Sequence, residues 1–263
     1  IPEIQFLAYL HNAEDQLRGE AATLPFFSEG RFTNPMVLRV PGLAYQKGFG
    51  GHFHNDNSLT IFRDIPGLIL AVPSNGADAV CMLRTAVREA YYNGRIVVFI
   101  EPIALYMTKD LFNAKDGKWA FEYPDIKEEI PIGEFKTYGN GNTLTIITYG
   151  NGLYLSLQAQ KEIEKKIKKK IKVIDLRWLS SINIQGLLDS IRNCKNVLIV
   201  DECRRTGCHG ENIFYQLKTL SDKEIKIKLH AAEDSFIPLG VAATATLPSK
   251  DSIIENSMAM INE

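Results

Sequence analysis

Two histidines, His52 and His54, lie in the run Ala44-Tyr45-Gln46-Lys47-Gly48-Phe49-Gly50-Gly51-His52-Phe53-His54-Asn55-Asp56-Asn57. Glycine lets a backbone come close to a ligand, and histidine is the side chain best able to trade protons near neutral pH. A loop of this make-up suits acid–base chemistry beside a bound group. It equally suits a polar surface turn, and composition does not choose between the two. On an extended chain His52 and His54 would point to one side, as in a metal site. Zinc needs a third protein ligand, and neither a His-Glu-x-x-His nor a paired Cys-x-x-Cys pattern supplies one, so a metal centre is the minor reading.

The other candidates have plainer readings. Gly150-Asn151-Gly152 follows an expected strand and opens an expected helix, which hints at a phosphate-binding turn. Leu155 stands where the dinucleotide fingerprint needs its third glycine, so the segment reads as an ordinary βα turn. Cys203 and Cys208-His209 fit no common zinc or redox spacing and read as the lining of another βα turn. The basic run Lys161 to Lys172 sits at a helix C-terminus, where cations complement the dipole. With Ile163, Ile167 and Ile171 spaced as a buried stripe, it reads as a solvated helix face rather than a nucleic-acid site.

The elements that must position these groups follow from periodicity. A short strand is expected at 3–6, and Leu10, Ala13, Leu17 and Ala21 then recur at helical spacing. Met36 to Val40 and the apolar runs Gly67 to Val72 and Arg95 to Ile100 have the length of buried strands. Ala79, Val80, Leu83, Ala86, Val87 and Ala90 form one helical face closed by Gly94. Residues 107–142, rich in Lys, Asp, Glu, Gly and Pro, break this rhythm and hold the expected linker. Beyond them, strands are expected at 143–148, 171–176, 196–201 and 225–230, and helices at 152–166, 184–193, 210–220 and 251–262. The fold class is α/β, with two parallel-sheet, doubly wound domains. The boundaries read 1–120, a linker at 121–142, and 143–263. The first domain has too few strands to close its own sheet.

Bulk composition removes several function classes. The 263 residues are 45% hydrophobic and 23% charged, with 30 basic against 31 acidic side chains. A net charge of -1 gives no field to draw in nucleic acid or an anionic membrane. No apolar run approaches the roughly 20 residues of a membrane span. Four scattered cysteines and the lack of an Asn-x-Ser/Thr sequon fit a reducing compartment, the cytoplasm or, in a eukaryote, the mitochondrial matrix. The chain starts Ile1-Pro2-Glu3-Ile4, with no methionine and no signal-peptide pattern, and reads as an excised or incomplete chain.

Six stretches in order carry a family resemblance. Glu3-Ile4-Gln5-Phe6 with Tyr9 and Asp15-Gln16 resembles an "EIQF…Y…DQ" segment. Phe62-x-x-Ile65-Pro66-Gly67-Leu68 with Val72-Pro73-Ser74 resembles "F..IPGL…P". Phe99-Ile100-Glu101-Pro102 with Leu105-Tyr106 resembles "FFEP..LY". Ile174-Asp175-Leu176-Arg177 resembles the "IDLR" of the transketolase C-terminal domain, and Asp201-Glu202 with Thr206-Gly207, then Asp234 and Pro238, continue the order. Together they cover nearly the whole chain. They resemble the β subunit, or its fused equivalent, of the decarboxylating component of 2-oxo acid dehydrogenase complexes, of pyruvate or branched-chain type.

The resemblance implies a partial, transketolase-like pyrimidine-binding domain followed by a transketolase C-terminal domain. It implies thiamine diphosphate and Mg²⁺ as cofactors, held mostly by a missing diphosphate-binding domain or α subunit. It implies a homodimer or heterotetramer, and the lipoyl domain of a dihydrolipoyl acyltransferase as a partner. His54 matches the histidine of the family's "HSQ" segment, which assists acyl transfer to a lipoyl group, whereas His52 does not match. Tyr9 matches an aromatic residue near the aminopyrimidine, and Phe6 of the same segment is expected to bind the cofactor with it. The family's catalytic glutamate lies upstream of the segment matching Ile1, and its Gly-Asp-Gly…Asn metal motif belongs to another domain, so this chain alone is expected to be inactive. Asn55-Asp56 replace the last two residues of "HSQ", and Met107 stands where an arginine often follows "LY". An acid beside the site is expected to raise the histidine's pKa and to disfavour an anionic substrate. Rival readings are a transketolase or deoxyxylulose-phosphate synthase relative and a non-catalytic assembly module.

Overall fold

Residues 1–46 and 52–263 are described in the computed structural model of the protein, and they form two sheets. Lys47 to Gly51, which include the three glycines of the histidine loop, lie outside the described residues.

The first sheet has the order β1-β3-β2, all parallel, from β1 (Met36–Gly42), β2 (Ile69–Ala71) and β3 (Ile96–Pro102). β2 and the body of β3 are buried on both faces, as continuous apolar runs in a covered parallel sheet must be. The helix α4 (Gly76–Asn93) crosses between β2 and β3. Asn75 caps it by accepting from the Asp78 N–H, and Gly94 ends it in the left-handed conformation. The N-terminal segment differs from the single helix its spacing predicts. It breaks into α1 (Leu7–Leu10), α2 (Glu14–Gln16) and α3 (Thr23–Phe27), joined by a 3₁₀ turn at His11–Ala13 and a π turn at Leu17–Ala21. Leu7, Leu10, Leu17 and Ala21 still reach the core, so burial rather than regular geometry fixes the path. The strand expected at 3–6 reduces to one parallel bridge, Glu3 to Arg39.

The second sheet has the order β4-β6-β5-β7-β8, from β4 (Lys136–Tyr138), β5 (Thr145–Thr148), β6 (Lys172–Asp175), β7 (Asn196–Arg204) and β8 (Lys226–Ala232). Only β4 runs antiparallel, as an edge strand on β6 contributed by the segment between the two strand series. The helices α5 (Asn151–Ile167), α6 (Ile184–Ile191), α7 (His209–Leu220) and α8 (Lys250–Asn262) lie within a residue or two of their expected spans. Of the expected stripe, Ile163 is fully buried and Ile167 partly so, but α5 ends at Ile167 with Lys168 in the left-handed conformation, and Ile171 is buried beyond the helix, just before β6. Lys172 is the exception in the basic run: it lies buried in β6 with its ammonium donating to the Ser190 carbonyl.

The sheets share one continuous apolar core, from Leu7 and Leu10 through Val98 and Ile100 to Ile174, Ile199 and Ile213. Each such fully buried side chain contributes about 1.5–3 kcal/mol, so the seam between the sheets is a major part of the fold. Main-chain bonds close it: Val72 N–H donates to Arg177 O (2.8 Å) and Leu179 N–H to Leu70 O (2.9 Å). The Arg177 guanidinium forks onto the Asp78 carboxylate with two 2.9 Å bonds, both side chains buried.

Candidate functional site

At the C-terminal end of β1 the chain enters the histidine segment, and the first turn of the protein lies against that end. Gly42 makes the approach possible: a Cβ there would stand 2.7 Å from the Leu7 Cβ. Leu7 therefore seats α1 on the strand, with Phe6 at its N-cap in extended conformation. This brings Phe6 and Tyr9 beside the histidine segment although some 45 residues separate them in sequence. The Phe6 ring meets the His54 imidazole edge-on at 4.4 Å between centroids and 74°, and lies 5.9 Å from Tyr9. Tyr9 in turn lies 5.6 Å from Phe53. Phe6, Tyr9 and His54 are all half-buried, so the cluster presents aromatic surface while remaining accessible.

The amide side chains hold the neck of this segment. Gln46 N–H donates to Asn55 Oδ1 (3.1 Å) and Asn55 Nδ2 donates back to Gln46 O (3.2 Å). The Gln46 side chain also donates to the His54 carbonyl, and Leu43 bridges Asp56 antiparallel. His52 is exposed and lies over Phe53 at 4.0 Å. Among the described residues no three His, Cys, Asp or Glu side chains gather as a metal site.

Asp56 does not point its charge at an open site. Its carboxylate accepts from His11 Nε2 (3.0 Å) and from the Ser58 hydroxyl and backbone, with Arg204 at 3.8 Å. Burial pulls its pKa upward, but the His11 and Ser58 hydrogen bonds outweigh this and hold it below the ordinary value. The histidine that Asp56 raises is His11, through that same hydrogen bond. Sequence reasoning missed His11 because nothing local marks it; its partner lies 45 residues away.

A second polar group lies where the β5–α5 turn meets the end of β7. Glu202 is buried, and its carboxylate accepts from Ala44 N–H (3.2 Å), Asn151 N–H (3.3 Å) and Asn151 Nδ2 (3.0 and 3.1 Å). Burial pushes its pKa up to about 7, against the pull of those donors. The Gly150-Asn151-Gly152 turn thus does meet an anion at its helix N-terminus, and the anion is the protein's own carboxylate. Gly150 adopts φ 53° and ψ −129° to make the turn. Next to it, Asp201 accepts from the Tyr149 hydroxyl, Cys203 N–H (2.9 Å) and Gly210 N–H (2.8 Å). Cys203 and Cys208 are buried and line this βα turn, as their spacing suggests.

Comparison with known proteins agrees with this architecture. The model of the transketolase C-terminal domain matches residues 133–253. The β subunit of the pyruvate dehydrogenase E1 component from Staphylococcus epidermidis is 30% identical over 268 residues, covering 99% of this chain and 76% of the relative. The corresponding subunit of Staphylococcus aureus is 29% identical over 264 residues, covering 98% and 74%. The solved structure of a split-gene transketolase, an inactive β4 tetramer, superposes with a TM-score of 0.72 at 18% identity, over 99% of this chain and 75% of that one. That likeness speaks to fold alone. No helix among the described residues is long and apolar enough to cross a membrane. The chain belongs to the family of pyruvate dehydrogenase E1 β subunits and is a component of a 2-oxo acid dehydrogenase.

Proposed function

We propose that this chain is the β-type half of a thiamine-diphosphate enzyme that decarboxylates a 2-oxo acid, pyruvate or a branched-chain one, and acylates a lipoyl group. The observation that carries the reading is the meeting of Phe6, Tyr9 and His54 at the end of β1. An accessible aromatic cluster beside an imidazole suits a heteroaromatic ring, which it can hold by stacking and edge contacts. The residues present therefore fit the pyrimidine half of the cofactor. The diphosphate and Mg²⁺ half is assigned to an α subunit or a further domain, which makes the site a composite one. When bound, thiamine diphosphate supplies the carbanion-stabilising chemistry of decarboxylation.

The chain's own contribution is orientation and proton handling. Phe6 and Tyr9 fix the ring plane. His54 holds a proton at its imidazole and gives it to the departing dithiolane sulfur as the lipoyl S–S bond opens and the other sulfur takes the acyl group. Removing such a general acid typically costs 10²–10⁴-fold. In the complex assembled with its α-type partner, His54→Ala is expected to slow acylation of a lipoyl domain by roughly 100-fold or more, while decarboxylation measured with an artificial electron acceptor falls far less. Equal, small losses on both steps would remove His54 from this role.

A further inference from the structure

The segment bearing His54 leaves the first sheet at Leu43–Gln46 and returns at Asn55–Asn57. Both ends touch one residue of the second sheet. The Glu202 carboxylate accepts the Ala44 N–H (3.2 Å), and the Glu202 backbone carbonyl accepts Asn57 Nδ2 (2.7 Å). All three residues are buried. Glu202 lies where β7 shifts register between Asp201 and Arg204, with its side chain on the β5–α5 turn and its carbonyl on Asn57. The other carboxylate contacts, Asn151 N–H and Nδ2, belong to that turn and hold the acid in place.

We propose that Glu202 is a positioning residue for His54, clamping both ends of the histidine segment to the second sheet. This rests on the assignment of His54 to acyl transfer, and it adds the device that keeps the imidazole at the Phe6–Tyr9 face.

The clamp responds to pH. The Ala44 N–H draws the Glu202 pKa down, so a segment that lifts while Glu202 stays buried against Asn151 leaves the carboxylate with fewer donors and a higher pKa, and ionisation favours the clamped state. The titratable groups facing it are Asp201, Tyr45, Tyr149 and Cys203. Of these, Asp201 adds to the upward push that brings Glu202 to about 7. The tyrosines and the cysteine are themselves raised by burial.

The test is amide exchange, read by mass spectrometry on the chain assembled with its α-type partner. Peptides covering 41–46 and 55–62 are followed from pH 6 to pH 8.5 and corrected for intrinsic exchange rate. In the unmodified protein, protection of both peptides should rise through pH 7. Glu202→Gln keeps the size of the side chain but only one acceptor oxygen, so protection should drop about tenfold, the worth of one buried hydrogen bond, and the pH step should vanish. Asn57→Leu should loosen the 55–62 peptide while leaving the pH step at 41–46. Exchange that is flat with pH in the unmodified protein, or unchanged in both variants, overturns the clamp. Loosened peptides together with an intact lipoyl-acylation rate in His54→Ala would leave the clamp standing and overturn the role of His54 instead.

Discussion

Asp56 shows how one residue can be misjudged from its neighbours in sequence. Beside His54 it reads as an acid that would tune the site and repel an anionic substrate. In the fold it turns to His11, Ser58 and Arg204, and its charge is used to tie the N-terminal turn to the histidine segment. The sign of its effect on stability follows from the shifts. Asp56 is held below the ordinary 3.8, so its contribution is present above that value and lost as pH falls through the folded pKa. His11 is raised above 6.5, so its contribution is present below that value and lost as pH rises through the folded pKa. The pair is therefore strongest between about pH 4 and 6.5. Asp56→Asn should lower stability by about 1 kcal/mol at pH 5.5, a figure kept small because His11 is partly solvated, and by less at pH 8. Urea unfolding at the two pH values checks this, and an equal loss at both would show that His11 is not the partner that matters.

At the scale of elements, the parallel strands and their crossover helices were legible because long apolar runs and 3.6-residue stripes admit few alternatives. The spans of α5, α7 and α8 agree within a residue or two. The N-terminal turns were not, because no local pattern records their breaks into 3₁₀ and π geometry. The site shows the same division. Phe6, Tyr9 and His54 could be singled out by resemblance, but their meeting depends on the seat of α1 against Gly42, a tertiary contact. Glu202 stood in a quoted motif and Asn151 in a recognised turn, yet nothing in the sequence says that each is the other's partner. The Gly42 seat makes a prediction at this scale. Gly42→Ala puts a methyl 2.7 Å from the Leu7 Cβ, which is part of a packed turn and cannot rotate away. The strain should cost about 1–3 kcal/mol and should be relieved by α1 lifting, which carries Phe6 and Tyr9 off His54. Thermal unfolding would report the cost. Weakened binding of thiamine diphosphate by the assembled complex, measured by calorimetry, would report the lifting. A destabilised variant with unchanged cofactor affinity would separate the aromatic cluster from the pocket.

For the whole molecule, two of the buried carboxyls that bond across the seam between the sheets, Glu202 and Asp175, are held above their ordinary values. Asp175 accepts from the Ser74 hydroxyl across the seam (2.8 Å), and its other oxygen has no hydrogen-bond partner among the described residues. Burial pushes it from 3.8 up to about 7, as burial pushes Glu202 from 4.5 to about 7. Both folded pKa values lie above the unfolded ones. Between pH 4 and 7 the unfolded chain gives up these two protons while the folded chain keeps them, so stability falls as pH rises and levels off above about 7. The acids held low, such as Asp56, act in the opposite sense below about pH 4, and His209, which burial holds down to about 4, acts in the opposite sense between about pH 4 and 6.5. The share of the two carboxyls is therefore read against a variant that lacks them. At about 1.4 kcal/mol per tenfold change in proton affinity, with water reaching the seam as it relaxes, the two carboxyls together should remove on the order of 3 kcal/mol by pH 8. Heat denaturation at pH 5 and pH 8 should be compared between the unmodified protein and the double variant Asp175→Asn with Glu202→Gln. The double variant should gain in midpoint on the unmodified protein from pH 5 to pH 8, since neither side chain can ionise. The same change of midpoint with pH in both proteins would place the titrating groups elsewhere. The same protons that set this slope set the order of the His54 segment, because Glu202 belongs to both.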